Sequence, residues 1–239
     1  MTLIAYELRR IIGRKGSFFG SMGVALAIAL LVALLVGAED QTEDVWSQVL
    51  GIPLVFGSTV VGALAGSYDT AQGTMRYLVL TGVPRWKLVA IRIPALVIAI
   101  VLISAPAALA AFYGMSTGDA TGTEMIRSVG GSVTYAAIWG VVSMVVGTLL
   151  RSNGAGIAVA LVLFLVGNII TAAVQSEISQ TVGDFLLPNV VSVFALFGHT
   201  PENTEVLTEM AWGTAAVALV VWMIALAGLA IARVERDEY

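Results

Sequence analysis

The chain has 239 residues, 58% of them hydrophobic and 12% charged, and its mean hydropathy of +0.93 is outside the range of a soluble domain this long. A net charge of −4 and a pI near 5.0 give no reason to expect nucleic acid as a partner. The absence of cysteine excludes disulfides, thiolate metal sites and cysteine nucleophiles, and says nothing about redox compartment. Hydrocarbon offers backbone amides no outside partner, so apolar runs of about 20 residues must close their own hydrogen bonds as helices. The expectation is an all-α integral membrane protein, a single transmembrane domain over 1–239.

Before the first apolar run, Ile4, Leu8, Ile11 and Ile12 recur at helical spacing, with Glu7, Arg9, Arg10 and Arg14 on other faces. A short interfacial helix over 1–15, its cations toward anionic headgroups of the membrane lipid, fits this pattern; an ordinary polar flank fits it equally well. Six spans follow at about 17–37, 50–67, 93–113, 129–150, 154–174 and 211–232. A cleaved signal peptide competes for the first 38 residues, since Val36-Gly37-Ala38 resembles a cleavage site. The apolar run exceeds the usual h-region of about 7–15 residues, so the first span is expected to be retained. Ser58, Gly62 and Gly66 repeat every fourth residue of the second span, and Gly16 and Gly20 do so in the first. Both read as helix-contact stripes, neither assigned to a dimer interface.

Between the fifth and sixth spans lies an outer segment, 176–210, with an apolar stretch from Phe185 to Gly198 broken by Pro188 and Asn189. It is too short to cross and too apolar for a free loop. A re-entrant or interfacial pair of short helices is one solution, and a helix packed flat on the ends of the bundle is the other. No repeat relates the first three spans to the last three, which weakens an inverted-repeat carrier.

Arg9, Arg10, Arg14 and Lys15, then Arg76, Arg85, Lys87 and Arg92, then Arg151, and finally Arg233 and Arg236 all fall on one side of these spans. Only Arg127 is basic on the other side, where acidic residues crowd the loops. The positive-inside rule puts both termini and the 69–87 loop in the cytoplasm of a multi-pass cell-membrane protein.

That loop is the most informative polar segment. Asp69 ends the second span, Gly73-Thr74 breaks the chain and caps a new short helix, and Gly82 to Pro84 ends it before Arg85-Trp86-Lys87. A rigid cytoplasmic lever between two spans is the expected product; an interfacial Trp and cation anchor is an equal reading of Arg85 to Lys87. Here the sequence resembles the permease subunits of type-2 ABC transporters: an acidic residue, Gly-Thr, a Leu-rich short helix over Leu78 to Leu80, a Pro-Xaa-basic turn at Pro84-Arg85, and Lys87. Six spans, Glu7-Leu8-Arg9-Arg10 near the start, the apolar outer hairpin and the tail Arg233-Val234-Glu235-Arg236-Asp237 are similar to that family too. Asp69 stands where Glu is more usual.

The resemblance implies a six-span exporter permease whose segment around Thr74 to Leu80 docks on a separate ATPase. Asp69, Gly73, Thr74, Arg76, Leu78, Pro84, Arg85 and Lys87 would form that coupling site. It implies two copies of the ATPase, which would bind the ATP and Mg, and a second permease in a homo- or heterodimer. No cofactor is expected in this chain. It has no Gly-x-x-x-x-Gly-Lys-Ser/Thr loop: Gly13-Arg14-Lys15-Gly16-Ser17 has the residue types in the wrong order.

The spans hold no ionisable residue, which argues against a proton- or sodium-driven carrier and suits an apolar or amphipathic cargo such as a drug, peptide or lipid. Ser104, Thr134, Tyr135, Ser143, Thr148, Asn168 and Thr171 are the remaining polar residues. Thr134, Ser143 and Asn168 are candidates for the pathway or for interhelical hydrogen bonds, the second being expected for Asn168. One His, no Gly-x-Ser-x-Gly and no intramembrane carboxylate pair leave no catalytic or metal residues to name. A membrane anchor or sensor that recruits a cytoplasmic partner through the same loop is the alternative function.

Overall fold

The computed structural model describes residues 3–35, 43–71, 84–118, 120–195 and 210–236. Within them run α1 (Leu3–Ile12), α2 (Lys15–Leu35), α3 (Glu43–Ala71), α4 (Arg85–Ser116), α5 (Gly122–Leu150), α6 (Asn153–Glu177), α7 (Gln180–Asp184), α8 (Leu187–Ala195) and α9 (Trp212–Glu235). No strand occurs among the described residues. Six of the helices, α2 to α6 and α9, are long and apolar enough to cross a bilayer. The chain is an all-α, multi-pass membrane protein.

Three of these helices, α3, α4 and α5, begin well before the apolar runs that mark them in the sequence. Pro84 sits at the N-cap of α4, its missing N–H costing nothing there, and the helix then carries Arg85, Trp86, Lys87 and Arg92 on its first turns. Leu88 and Val89 are already buried, so these turns pack like the rest of the span. α5 starts with a capping box: Thr121 Oγ1 accepts from the Glu124 N–H at 3.4 Å, and Glu124 accepts from the Thr121 N–H at 2.6 Å. Polar first turns of this kind lie outside any stretch chosen for hydrophobicity alone.

α3 and α5 run parallel and form the closest helix pair of the bundle. Small residues allow this: a Cβ on Gly62 would collide with the Gly140 carbonyl, and one on Gly66 with that of Met144. In lipid there is no hydrophobic drive between helices, so such backbone proximity carries the association. Hydroxyls then stitch the contact. Ser143 donates to Thr59 O at 2.7 Å and to Gly156 O at 3.3 Å, joining α3, α5 and α6, while Thr148 donates to Gly66 O at 3.2 Å. By contrast Gly16 and Gly20 on α2 face open space. α2 packs against α3 and α4, α6 against α3 and α5, and α9 against α4 and α5.

α7 and α8 form a helical hairpin tucked between α6 and α9. The chain breaks between Asp184 and Leu187, not at Pro188-Asn189: Pro188 occupies the first turn of α8, where its lack of an N–H is harmless. Gln175 and Asn189 donate to Asp184, at its Oδ1 (2.8 Å) and its backbone carbonyl (2.9 Å). The Pro188 ring packs on Gly167, ten residues before the end of α6, and Trp222, ten residues into α9, donates to Phe185 O at 2.9 Å. Ten residues of helix span about 15 Å. The hairpin therefore dips along its neighbours, and the re-entrant arrangement holds over the flat one.

Candidate functional site at the basic end of the bundle

The candidate coupling residues divide in two. Gly73, Thr74, Arg76 and Leu78 lie outside the described residues. Asp69 falls on the last turn of α3, Pro84 is exposed at the N-cap of α4, Arg85 opens that helix, and Lys87 is exposed on its first turn. The described parts of the site are thus its two flanks.

Both flanks are held by the N-terminal helix and the turn after it. The sequence pattern puts Glu7 with the cations, away from the apolar stripe of α1; in the structure Glu7 and Ile11 are the residues of α1 that are buried against the bundle. Glu7 lies 2.8 Å from Arg10 Nη2 and 4.0 Å from Arg92 Nε, and Arg92 is 2% exposed. A carboxylate at that depth is costly unless it is paired, and the two guanidiniums supply the pairing. One turn beyond α1, the Arg14 guanidinium stacks 3.9 Å over the Tyr68 ring, next to Asp69. The N-terminal helix therefore engages the start of α4 through Glu7, and the turn after it engages the end of α3 through Arg14.

Nearby contacts stiffen the same end. Ser67 donates to Ala63 O at 2.6 Å and also to the Asn153 side-chain carbonyl, tying α3 to the first residue of α6. Arg151 takes a left-handed conformation, φ 53°, to end α5, and Ser152 caps α6 by accepting from the Ala155 N–H at 3.3 Å. Arg233 of α9 donates to Leu149 O at 3.4 Å, a cation at a helix C-terminus.

The three intramembrane candidates do not converge. Ser143 is wholly buried and spends its hydroxyl between helices, Thr134 is half-buried on α5, and Asn168 is exposed on α6. What does converge is an aromatic group not singled out in the sequence. Phe164 of α6 meets Phe56, Tyr135 and Trp139 edge-on at 6.4, 5.9 and 5.9 Å. Tyr135 and Trp139 are one helical turn apart on α5, which was the available signal. Phe56 and Ile52, one turn apart on α3, remain exposed beside this group, giving α3 and α6 a shared apolar and aromatic face.

Among the described residues no group of three or more His, Asp or Glu is placed to hold a metal ion. No known family model matches the chain, and no curated protein matches it either.

Proposed function

We propose that this chain is the membrane-spanning subunit of an ATP-driven ABC exporter, moving an apolar or amphipathic substrate with energy from a separate ATPase. The observation that carries this reading is the grip of the N-terminal helix and the turn after it on the two flanks of segment 72–83, through Glu7 beside Arg92 and Arg14 on Tyr68. A cytoplasmic partner that pushes on that segment moves two spans and the N-terminal helix as one body. The positive-inside pattern of the sequence supports putting this end, with both termini, on the cytoplasmic side of the cell membrane.

In this mechanism two ATPase copies bind ATP and Mg and close on hydrolysis-competent nucleotide. The coupling residues Asp69 to Lys87 take up the movement, and α3 and α4 tilt. Access then changes along a path between this bundle and a second permease, for which the aromatic face of Ile52, Phe56 and Phe164 is a suitable wall. The interior of the single bundle is closed by the packing of α3 on α5, which favours a path between bundles over one through the middle.

The test is reconstitution of the chain, purified with its co-purifying subunits, into proteoliposomes. ATP-dependent movement of a fluorescent amphipathic cargo supports the proposal, and the chain alone should hydrolyse no ATP. The paired reversal Arg85→Glu, Lys87→Glu should abolish both partner association and transport. Partner binding without cargo movement would favour the anchor or sensor reading, and robust hydrolysis by the isolated chain would refute the assignment.

A further inference from the structure

α1 is joined to a spanning helix by two residues, Gly13 and Arg14, so it sits where α2 enters the bilayer. Leu3 and Ile4 lie one turn before Glu7 and two before Ile11, on the same face of α1 by helical spacing. Glu7 and Ile11 are buried against the bundle, yet Leu3 and Ile4 are exposed, as is Tyr6. The first turn therefore overhangs the protein. Its apolar side chains meet whatever surrounds the point of entry, which for a spanning helix is lipid at the depth of the headgroups.

Charge decides which lipid. In sequence, α1, the turn after it, α2 and α4 contain Glu7 as their one acidic residue. The fold turns that carboxylate inward, 2.8 Å from Arg10 and 4.0 Å from Arg92. Asp69, which α3 adds at this end, follows Tyr68, the ring on which Arg14 stacks. Arg9, roughly opposite Glu7 and Ile11 on α1, and Lys15, the first residue of α2, are both exposed. Burying Glu7 thus withdraws the one group of α1 that an anionic surface would repel, while the cations stay outside. A zwitterionic headgroup offers these cations no net charge. An anionic leaflet attracts each Lys or Arg near its surface about fivefold.

We infer that α1 and the first turn of α2 form a binding surface for anionic phospholipid, with headgroup phosphates at Arg9 and Lys15 and acyl chains against Leu3, Ile4 and Tyr6. The lipid completes the seat of α1: protein holds it from Glu7 onward, and lipid holds the overhanging first turn. This surface is independent of what the bundle transports, and it serves an anchor or sensor as well as a permease.

The chain has no cysteine, so a single thiol can be placed without background. The test uses the full-length chain in nanodiscs of phosphatidylcholine, with or without phosphatidylglycerol, and an uncharged, water-soluble maleimide. Ile4→Cys should be labelled about thirtyfold more slowly when phosphatidylglycerol is present, about fivefold for each of the two cations. Ser116→Cys, exposed at the other end of α4, should be labelled equally in both lipids. Arg9→Gln with Lys15→Gln should erase the difference at Ile4→Cys, and Arg9→Lys with Lys15→Arg should keep it. High salt should erase it as well with both cations in place, by screening, so the inference stays testable if the neutralised variant fails to fold. Native mass spectrometry of chain released from mixed-lipid discs should find phosphatidylglycerol retained in preference to phosphatidylcholine. Equal labelling of Ile4→Cys in the two lipids, an equal change at Ser116→Cys, indifference to salt, equal retention of the two lipids, or an effect that survives Arg9→Gln with Lys15→Gln would each overturn the inference. So would protection of Ile4→Cys in pure phosphatidylcholine by free glycerol phosphate, which would mark a soluble-phosphate site in place of a lipid surface.

Discussion

Arg92 on the third span and Glu7 on the N-terminal helix approach to 4.0 Å, and both are almost wholly buried. Glu7 also pairs with both Arg92 and Arg10, so neutralising it removes a buried negative charge that serves two guanidiniums. Glu7→Gln should therefore destabilise the protein by about 3 kcal/mol, the range for breaking a buried pair from one side. Glu7→Asp, which keeps the charge, should recover much of the loss. Thermal unfolding in detergent measures both. If the helix acts as a clamp on the coupling segment, Glu7→Gln in the reconstituted complex should also lower transport per ATP hydrolysed more than it lowers hydrolysis.

Gly62 and Gly66 sit where α3 touches the α5 backbone, so any side chain must push the helices apart. Gly62→Leu and Gly66→Leu should each cost about 3 kcal/mol or prevent folding, as overpacking of a closed contact does. Gly16→Ala and Gly20→Ala, with open space around them, should change stability by less than about 0.5 kcal/mol. The yield and thermal stability of monodisperse protein in detergent separate the two pairs. Similar losses from all four substitutions would contradict the packing described.

Part of this was legible in advance and part was not, for physical reasons. The stripe of Ser58, Gly62 and Gly66 is readable because small residues every fourth position have one main use in lipid. The same pattern at Gly16 and Gly20 cannot be told from it by spacing alone, and the structure leaves those two bare. Arg92 reads as a loop cation when spans are drawn by hydropathy. Only the packing of Leu88 and Val89 shows that the helix, and the charge, begin inside the bundle. Glu7 misleads likewise: an acidic residue among arginines looks solvent-facing, and its burial depends on a partner 85 positions away in the chain. At the proposed coupling segment, Asp69, Pro84, Arg85 and Lys87 have described positions, while Gly73, Thr74, Arg76 and Leu78 rest on the sequence motif.

Ser143 separates a structural from a transport role for intramembrane hydroxyls. Its two acceptors, Thr59 O and Gly156 O, belong to α3 and α6, so its removal costs packing specificity and not substrate contact. Ser143→Ala should lose about 1 kcal/mol of stability, in line with intramembrane hydrogen bonds elsewhere, and leave the cargo concentration at half-maximal transport unchanged. A shift in that concentration with unchanged stability would place Ser143 on the pathway instead.

The re-entrant hairpin depends on Gly167, because a Cβ there would lie 2.6 Å from the Pro188 ring. Neither group can yield: Pro188 is locked in the first turn of α8, and α6 is held by Gly156 against Gly147 and Ala63. Gly167→Leu should therefore expel the hairpin from between α6 and α9, while α2 to α6, which pack directly on one another, stay assembled. Trp222 then loses its bond to Phe185 O, and Gln175 of α6 its bond to Asp184 Oδ1. A thiol at Ser192, partly covered on α8, reports the movement. Ser192→Cys alone should react slowly with a membrane-impermeant maleimide added to proteoliposomes, and adding Gly167→Leu should speed the reaction at least about tenfold, since protection falls with the free energy of local opening. Equal rates with and without Gly167→Leu would mean that the hairpin does not need this glycine for its depth.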